Sequence, residues 1–218
     1  MASIYRNAYL TIAATKSSSG DGGLFTGTPD FEVSGKTPGE DYYLVFREKI
    51  KHELSVIDTM SNFPLMSRAW VYQERMLSPR VLHFGYYELF FECSSDMHCK
   101  CGNIGFLGET EEIPLPIPRH MHFTALQSSA KTPTGSWSNK AWVNTARYFI
   151  ARIWRSLVMM YTELSLTIPS DRFPSLRGVA RAFAEKMSTP YLAGLFRDSL
   201  FNDLLWTTFR SQKPRLPK

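Results

Sequence analysis

Residues 67–93, SRAWVYQERMLSPRVLHFGYYELFFEC, constrain the fold more than any other stretch of the chain. They predict a short helix, a tight turn and two short strands. Side chains three and four apart share a helical face, which puts Trp70, Gln73, Glu74 and Leu77 on one side and Arg68, Arg75 and Met76 on others. Proline cannot continue an amide ladder, so Pro79 stops the helix after Leu77-Ser78. Residues 81–84 and 88–92 then read as strands joined across Gly85-Tyr86-Tyr87. A ring, an amide and a carboxylate on one face are an unusual set for a helix that serves only to fill a core.

The rest of the chain sets the frame for this unit. Residues 5–15 read as a helix end or turn leading into a buried strand at 10–14. Residues 17–23 form a Gly/Ser loop, and 26–41, rich in Pro, Gly and Thr, is expected to be exposed. Residues 42–46 and 53–57 look like strands. Residues 103–138 hold Pro114, Pro116, Pro118 and Pro133 with little periodicity, which predicts an extended linker. Beyond it, apolar residues recur at helical spacing from 141 to 166, with Trp142 and Trp154 in the stripe, a pattern that reads as helix-packing core. Asp171 can cap a second helix running to about Met187. Residues 199–209 predict a third, and 211–218 a disordered tail.

At 218 residues the chain can bury a proper core. The 44% hydrophobic and 21% charged composition is that of a globular chain. The net charge of +5 is mild, and no run of five like charges exists. Arg147, Arg152 and Arg155 are spread along an otherwise apolar helix, so no nucleic-acid partner is expected. No stretch approaches the ~20 apolar residues that span a bilayer, so no membrane partner is expected. Three cysteines and no leader-like start imply a reducing, cytoplasmic setting.

Several constellations could carry chemistry. Glu74 beside Trp70 in a half-buried site would have its pKa raised by desolvation, which suits acid–base work. A structural ion pair with Arg68, Arg75 or Arg80 explains the same residues and is favoured, leaving no catalytic residue beyond Glu74 as a candidate. Cys93, Cys99 and Cys101, with His98, His120 and His122, lack the paired spacing of a zinc site, so no metal is expected. Gly20-Asp21-Gly22-Gly23 lacks the ending of a phosphate loop, and no cofactor is expected. Ser94, His83 and Asp96 can be drawn as a triad, but no nucleophile elbow supports it. His52 and His83 read as isolated surface or packed residues.

The chain also resembles a family. Arg68, Trp70, Gln73, Glu74, Leu77, Ser78, Arg80, Phe84 and Cys93 match the RxWxxQExxLSxRxxxF…C signature of the fungal heterokaryon-incompatibility (HET) domain. Residues 4–15, IYRNAYLTIAAT, followed by Gly22-Gly23-Leu24-Phe25, resemble a second motif of that family. Trp154, Tyr161, Asp171-Arg172-Phe173, Gly178-Val179-Ala180 and Tyr191 to Leu195 resemble its helical tail. The resemblance implies an α/β (mixed α+β) fold and a truncated member. Residues 1–102 would be the C-terminal half of the domain and 139–210 a helical accessory region. It implies a role in fungal non-self recognition and programmed cell death, with a protein partner or self-association. Some members are held to cleave NAD, but the pocket for it would draw on the N-terminal half, so no catalysis is expected. Tyr5, Asn7, Arg68, Trp70, Gln73, Glu74 and Arg80 are the expected structural or interaction cluster. A small basic enzyme using Glu74, a nucleic-acid-binding module and a non-functional remnant are the other readings.

Overall fold

The computed structural model describes residues 1–25, 31–46, 63–100 and 139–205, with side chains from residue 147 onward in the last stretch. Helix α1 (Ala2–Asn7) runs into strand β1 (Thr11–Ala13). Helix α2 (Ala69–Leu77) precedes strand β4 (Arg80–Phe84), which pairs parallel with β1, Ile12 opposite Leu82. Parallel neighbours need a crossover, and α2 supplies it. Strands β5 (Leu89–Cys93) and β6 (Met97–Cys99) continue antiparallel, giving the sheet order β1-β4-β5-β6. Inside the crossover, β2 (Phe31–Thr37) and β3 (Glu40–Phe46) form a separate hairpin.

Helices α3 (Asn139–Thr162) and α4 (Arg177–Met187) pack on α2. Tyr72, Met76 and Leu77 of α2 share one buried cluster with Trp154 and Leu157 of α3 and Val179 and Phe183 of α4. Ala2 and Tyr5 of α1 pack against it. Trp154 anchors the far end, its ring centroid 5.3 Å from Phe183 and 5.0 Å from Phe196. That end is closed by a small hairpin, β7 (Tyr191–Leu192) and β8 (Leu195–Phe196). Its two turn residues, Ala193 and Gly194, have φ of 48° and 105°, the positive values that a tight hairpin turn demands. A one-turn helix, α5 (Leu200–Asp203), follows.

The architecture is the expected mixed α+β, with the strands early and the long helices late. Both predicted strands after Pro79 are present, and the long helix spans Asn139–Thr162. The described part of residues 26–41 is exposed as expected and includes β2: Phe31 and Val33 find cross-strand partners in Phe46 and Leu44, and Pro38-Gly39 makes the turn. Three expectations change. The opening strand is not buried, because it forms a sheet edge where Ile12 is 58% exposed. Helix α4 starts at Arg177 without a side-chain cap from Asp171, whose carboxylate is engaged elsewhere. The third late helix is a single turn. The expected strand at 53–57, the stretch 103–138, the tail 211–218 and His52, Cys101, His120 and His122 lie outside the described residues.

Candidate functional site

The signature helix α2 presents polar side chains in two directions. Toward solvent it borders a cleft of about 590 Å³, lined by Ser18, the first turn of α2 and residues 165–168 and 171. Trp70 Nε1–H donates to Asp171 Oδ2 at 3.0 Å across this cleft. Tyr5 of α1 shares a hydrogen bond with Glu74, and burial together with that bond pushes the tyrosine hydroxyl up to about 12. Burial raises the Glu74 carboxyl above its ordinary value, more than the Tyr5 hydroxyl and the positive Arg68 lower it. Glu74 thus holds a proton more readily than a solvated glutamate does.

Toward the interior, Gln73 is buried and its Oε1 accepts the Gly178 backbone N–H at 2.5 Å. First-turn N–H groups of a helix have no intrahelical acceptor, so Gln73 serves α4 as a cap supplied by another helix. The fit is tight: a Cβ on Gly178 would lie 2.7 Å from Gln73 Oε1, 2.8 Å from Ala2 and 2.9 Å from Leu77. Three helices meet at this glycine.

Arg75 points to the sheet. It donates to both carboxylate oxygens of Glu92 on β5, with Nε to Oε2 at 2.6 Å. His83 Nε2 lies 3.0 Å from the same Oε2, and its Nδ1 lies 2.9 Å from the Thr15 hydroxyl. The imidazole stacks on Phe90 at 4.2 Å. Burial alone would raise Glu92, but the Arg75 guanidinium and its hydrogen bonds, with those of His83, hold the carboxyl well below the usual range. A hydroxyl, an imidazole and a carboxylate in sequence resemble a catalytic relay. Thr15, His83 and Glu92 are 0%, 2% and 1% exposed, however, so no substrate reaches the hydroxyl. This cluster fastens β1, β4, β5 and α2 together.

The helical face read from spacing is therefore divided. Gln73 and Leu77 are buried beside Met76, whereas Trp70 and Glu74 are half-buried at the cleft. Arg75 pairs with Glu92 and not with Glu74. Arg68 stands at the N-cap position of α2 without a side-chain cap bond and is exposed at the cleft. Arg80 lies over the Tyr9 ring at 5.0 Å and donates to its carbonyl at 3.3 Å, tying the α1–β1 connection to β4. Asn7 is exposed at the end of α1. His83 is far from isolated, and no Ser94–His83–Asp96 arrangement forms: Asp96 faces His98 at 3.1 Å instead. Glu92, Thr15, Asp171 and Gly178 were not singled out as site residues by spacing. Glu92 carries the one signal that could have found its cluster, because it sits two residues from Phe90 on the buried face of a strand, where a charge needs a partner.

Among the described residues Cys93 and Cys99 form no disulfide, and no group of three or more His, Cys, Asp and Glu side chains could hold a metal ion. Arg147 and Arg155 pair with Asp198 and Asp203 at 3.5 and 3.0 Å. Among the described residues no helix is long and apolar enough to cross a membrane.

Residues 1–74 match the family model described as heterokaryon incompatibility protein (HET), 74 of the 218 residues, about a third of the chain. The match takes in the opening motif and the signature helix as far as Glu74, consistent with a heterokaryon-incompatibility domain protein. No curated protein and no solved structure matches the chain.

Proposed function

We propose that this chain acts in heterokaryon incompatibility as a non-catalytic signalling protein, one that works through a protein partner in non-self recognition and programmed cell death. The signature helix is then a joint and not a reaction centre. The observation that supports this is where its polar atoms go: Trp70 binds Asp171, Gln73 binds Gly178, and Glu74 binds Tyr5. Each contact joins one motif of the chain to another and leaves little polar capacity for a substrate. The test is expression in a fungal host. Growth arrest is expected from the wild-type chain. Gln73→Ala, which removes the acceptor for a buried N–H, is expected to abolish it, and Glu74→Gln is expected to keep it. A wild-type chain with no effect on growth contradicts the reading.

A second reading has its own support, the proton-holding Glu74 carboxyl at an open cleft beside Arg68. It makes Glu74 a general acid or base. Purified chain incubated with NAD is expected to leave it intact. Release of nicotinamide that Glu74→Gln abolishes would replace the first reading with the second.

A further inference from the structure

The β2–β3 hairpin is exposed along its whole length, with only Gly35 half-buried. Residues directly opposite in a hairpin share a face. Phe31 faces Phe46, Val33 faces Leu44 and Gly35 faces Tyr42, so one face is apolar from the open end up to Gly35, and only Thr37 opposite Glu40 beside the turn is polar. Tyr42 lies so closely over Gly35 that a Cβ there would fall 2.2 Å from its hydroxyl. The other face pairs Glu32 with Val45, Ser34 with Tyr43 and Lys36 with Asp41. Phe31 is 62% exposed and Phe46 52%. Two strands alone hold poorly in water, and three or more with an apolar face are needed.

Among the described residues only β3 pairs with β2, and the other edge of β2 says what completes them. The Pro38-Gly39 turn leaves Thr37 opposite Glu40 as the first hydrogen-bonded pair, and such pairs alternate along an antiparallel ladder. Gly35, Val33 and Phe31 therefore bond to β3, while the backbone groups of Glu32, Ser34 and Lys36 point outward. Natural edges are commonly protected by a proline, a bulge or an inward charge, and the middle of β2 has none of these. The outward trio is complementary to itself. In an antiparallel pair centred on Ser34, Glu32 of one copy stands opposite Lys36 of the other, twice over, and Phe31, Val33, Leu44 and Phe46 of both copies stay on one face. In the single chain Lys36 lies 3.6 Å from Asp41, and Glu32 has no ion pair among the described residues.

We propose that two copies of this chain associate through β2, Ser34 opposite Ser34, to form one four-stranded antiparallel sheet. The proposal rests on the reading of the chain as one that works through a protein partner, and it names that partner as a second copy.

Sedimentation of the full chain over a concentration series tests it, with a monomer–dimer equilibrium expected. Glu32→Lys and Lys36→Glu each place like charges opposite one another and are expected to weaken the dimer about tenfold or more. An equimolar mixture of the two variants is expected to dimerise again, as is the double variant, outcomes that mere misfolding would not give. Ser34→Pro removes an outward N–H, sparing the hairpin but not the dimer. A chain monomeric at every concentration, a Ser34→Pro variant that still dimerises, or charge variants that fail to complement each other would overturn the proposal. None of these results touches the growth assay, so the partner-dependent reading stands or falls separately.

Discussion

Glu92 and Glu74 lie on different flanks of helix α2 and answer to opposite physics. Glu92 is fully buried, yet the Arg75 guanidinium keeps it ionised far down the pH scale. Glu74 is only half-buried, yet without a guanidinium fork it gains protons more easily than in water. Depth of burial alone does not set the charge state; the geometry of the donor does. The inner flank is a closed ion pair whose loss leaves a buried charge. The outer flank is a cleft margin where a charge can be removed at little cost.

The largest expected effect comes from breaking the inner pair. Arg75→Met leaves Glu92 with the His83 ring as its remaining partner and should cost up to about 3–5 kcal/mol in chemical denaturation at neutral pH. Adding Glu92→Leu should recover part of that loss, because it removes the buried charge but leaves His83 Nε2 without its partner. The pH dependence sharpens the contrast. The folded-state pKa of Glu92 is depressed, so its contribution is complete above the ordinary carboxylate value and is lost as pH falls through that value toward the folded one. Arg75→Met should flatten this acid limb.

Gly178→Ala comes next. Its new methyl would press on Gln73, Ala2 and Leu77, and a loss of about 1–3 kcal/mol in thermal unfolding is expected. Gly20→Ala is the control, with nothing within 4 Å of the added carbon and an expected change within about 0.5 kcal/mol.

The smallest effect belongs to the outer flank. Glu74→Gln should change stability by no more than about 0.5 kcal/mol near neutral pH. Its sign should favour the variant as pH rises, because a raised folded-state pKa gives stability that is present in acid and lost on ionisation. A loss comparable to that of Arg75→Met would erase the distinction between the flanks.

Much of this was legible in the sequence, and particular residues show why. Pro79 and the alternation after it placed the helix end and both strands, because those signals are local. The two HET-like motifs that flank the hairpin proved to be spatial neighbours, as parallel pairing of Thr11 with Val81 requires. The hairpin was half-legible: residues 42–46 read as a strand, whereas 26–41 read only as an exposed Pro/Gly/Thr-rich stretch, and cross-strand pairing decided that β2 lies in it. Asp171 looked like a helix cap, since local spacing could not reveal an indole from a residue 101 positions away. His83 and Glu92 stand nine positions apart on neighbouring strands, and only their register places one against the other.

The central claim is that α2's polar side chains are joints between distant segments. A double-mutant cycle of Trp70→Phe and Asp171→Ala tests it most directly, since the indole N–H and the carboxylate meet across the cleft at 3.0 Å and each variant removes one partner. Unfolding free energies of the two single variants and the double variant should reveal a coupling of about 1–2 kcal/mol, as a hydrogen bond to a charged acceptor would give. Effects additive to within about 0.3 kcal/mol would contradict the claim.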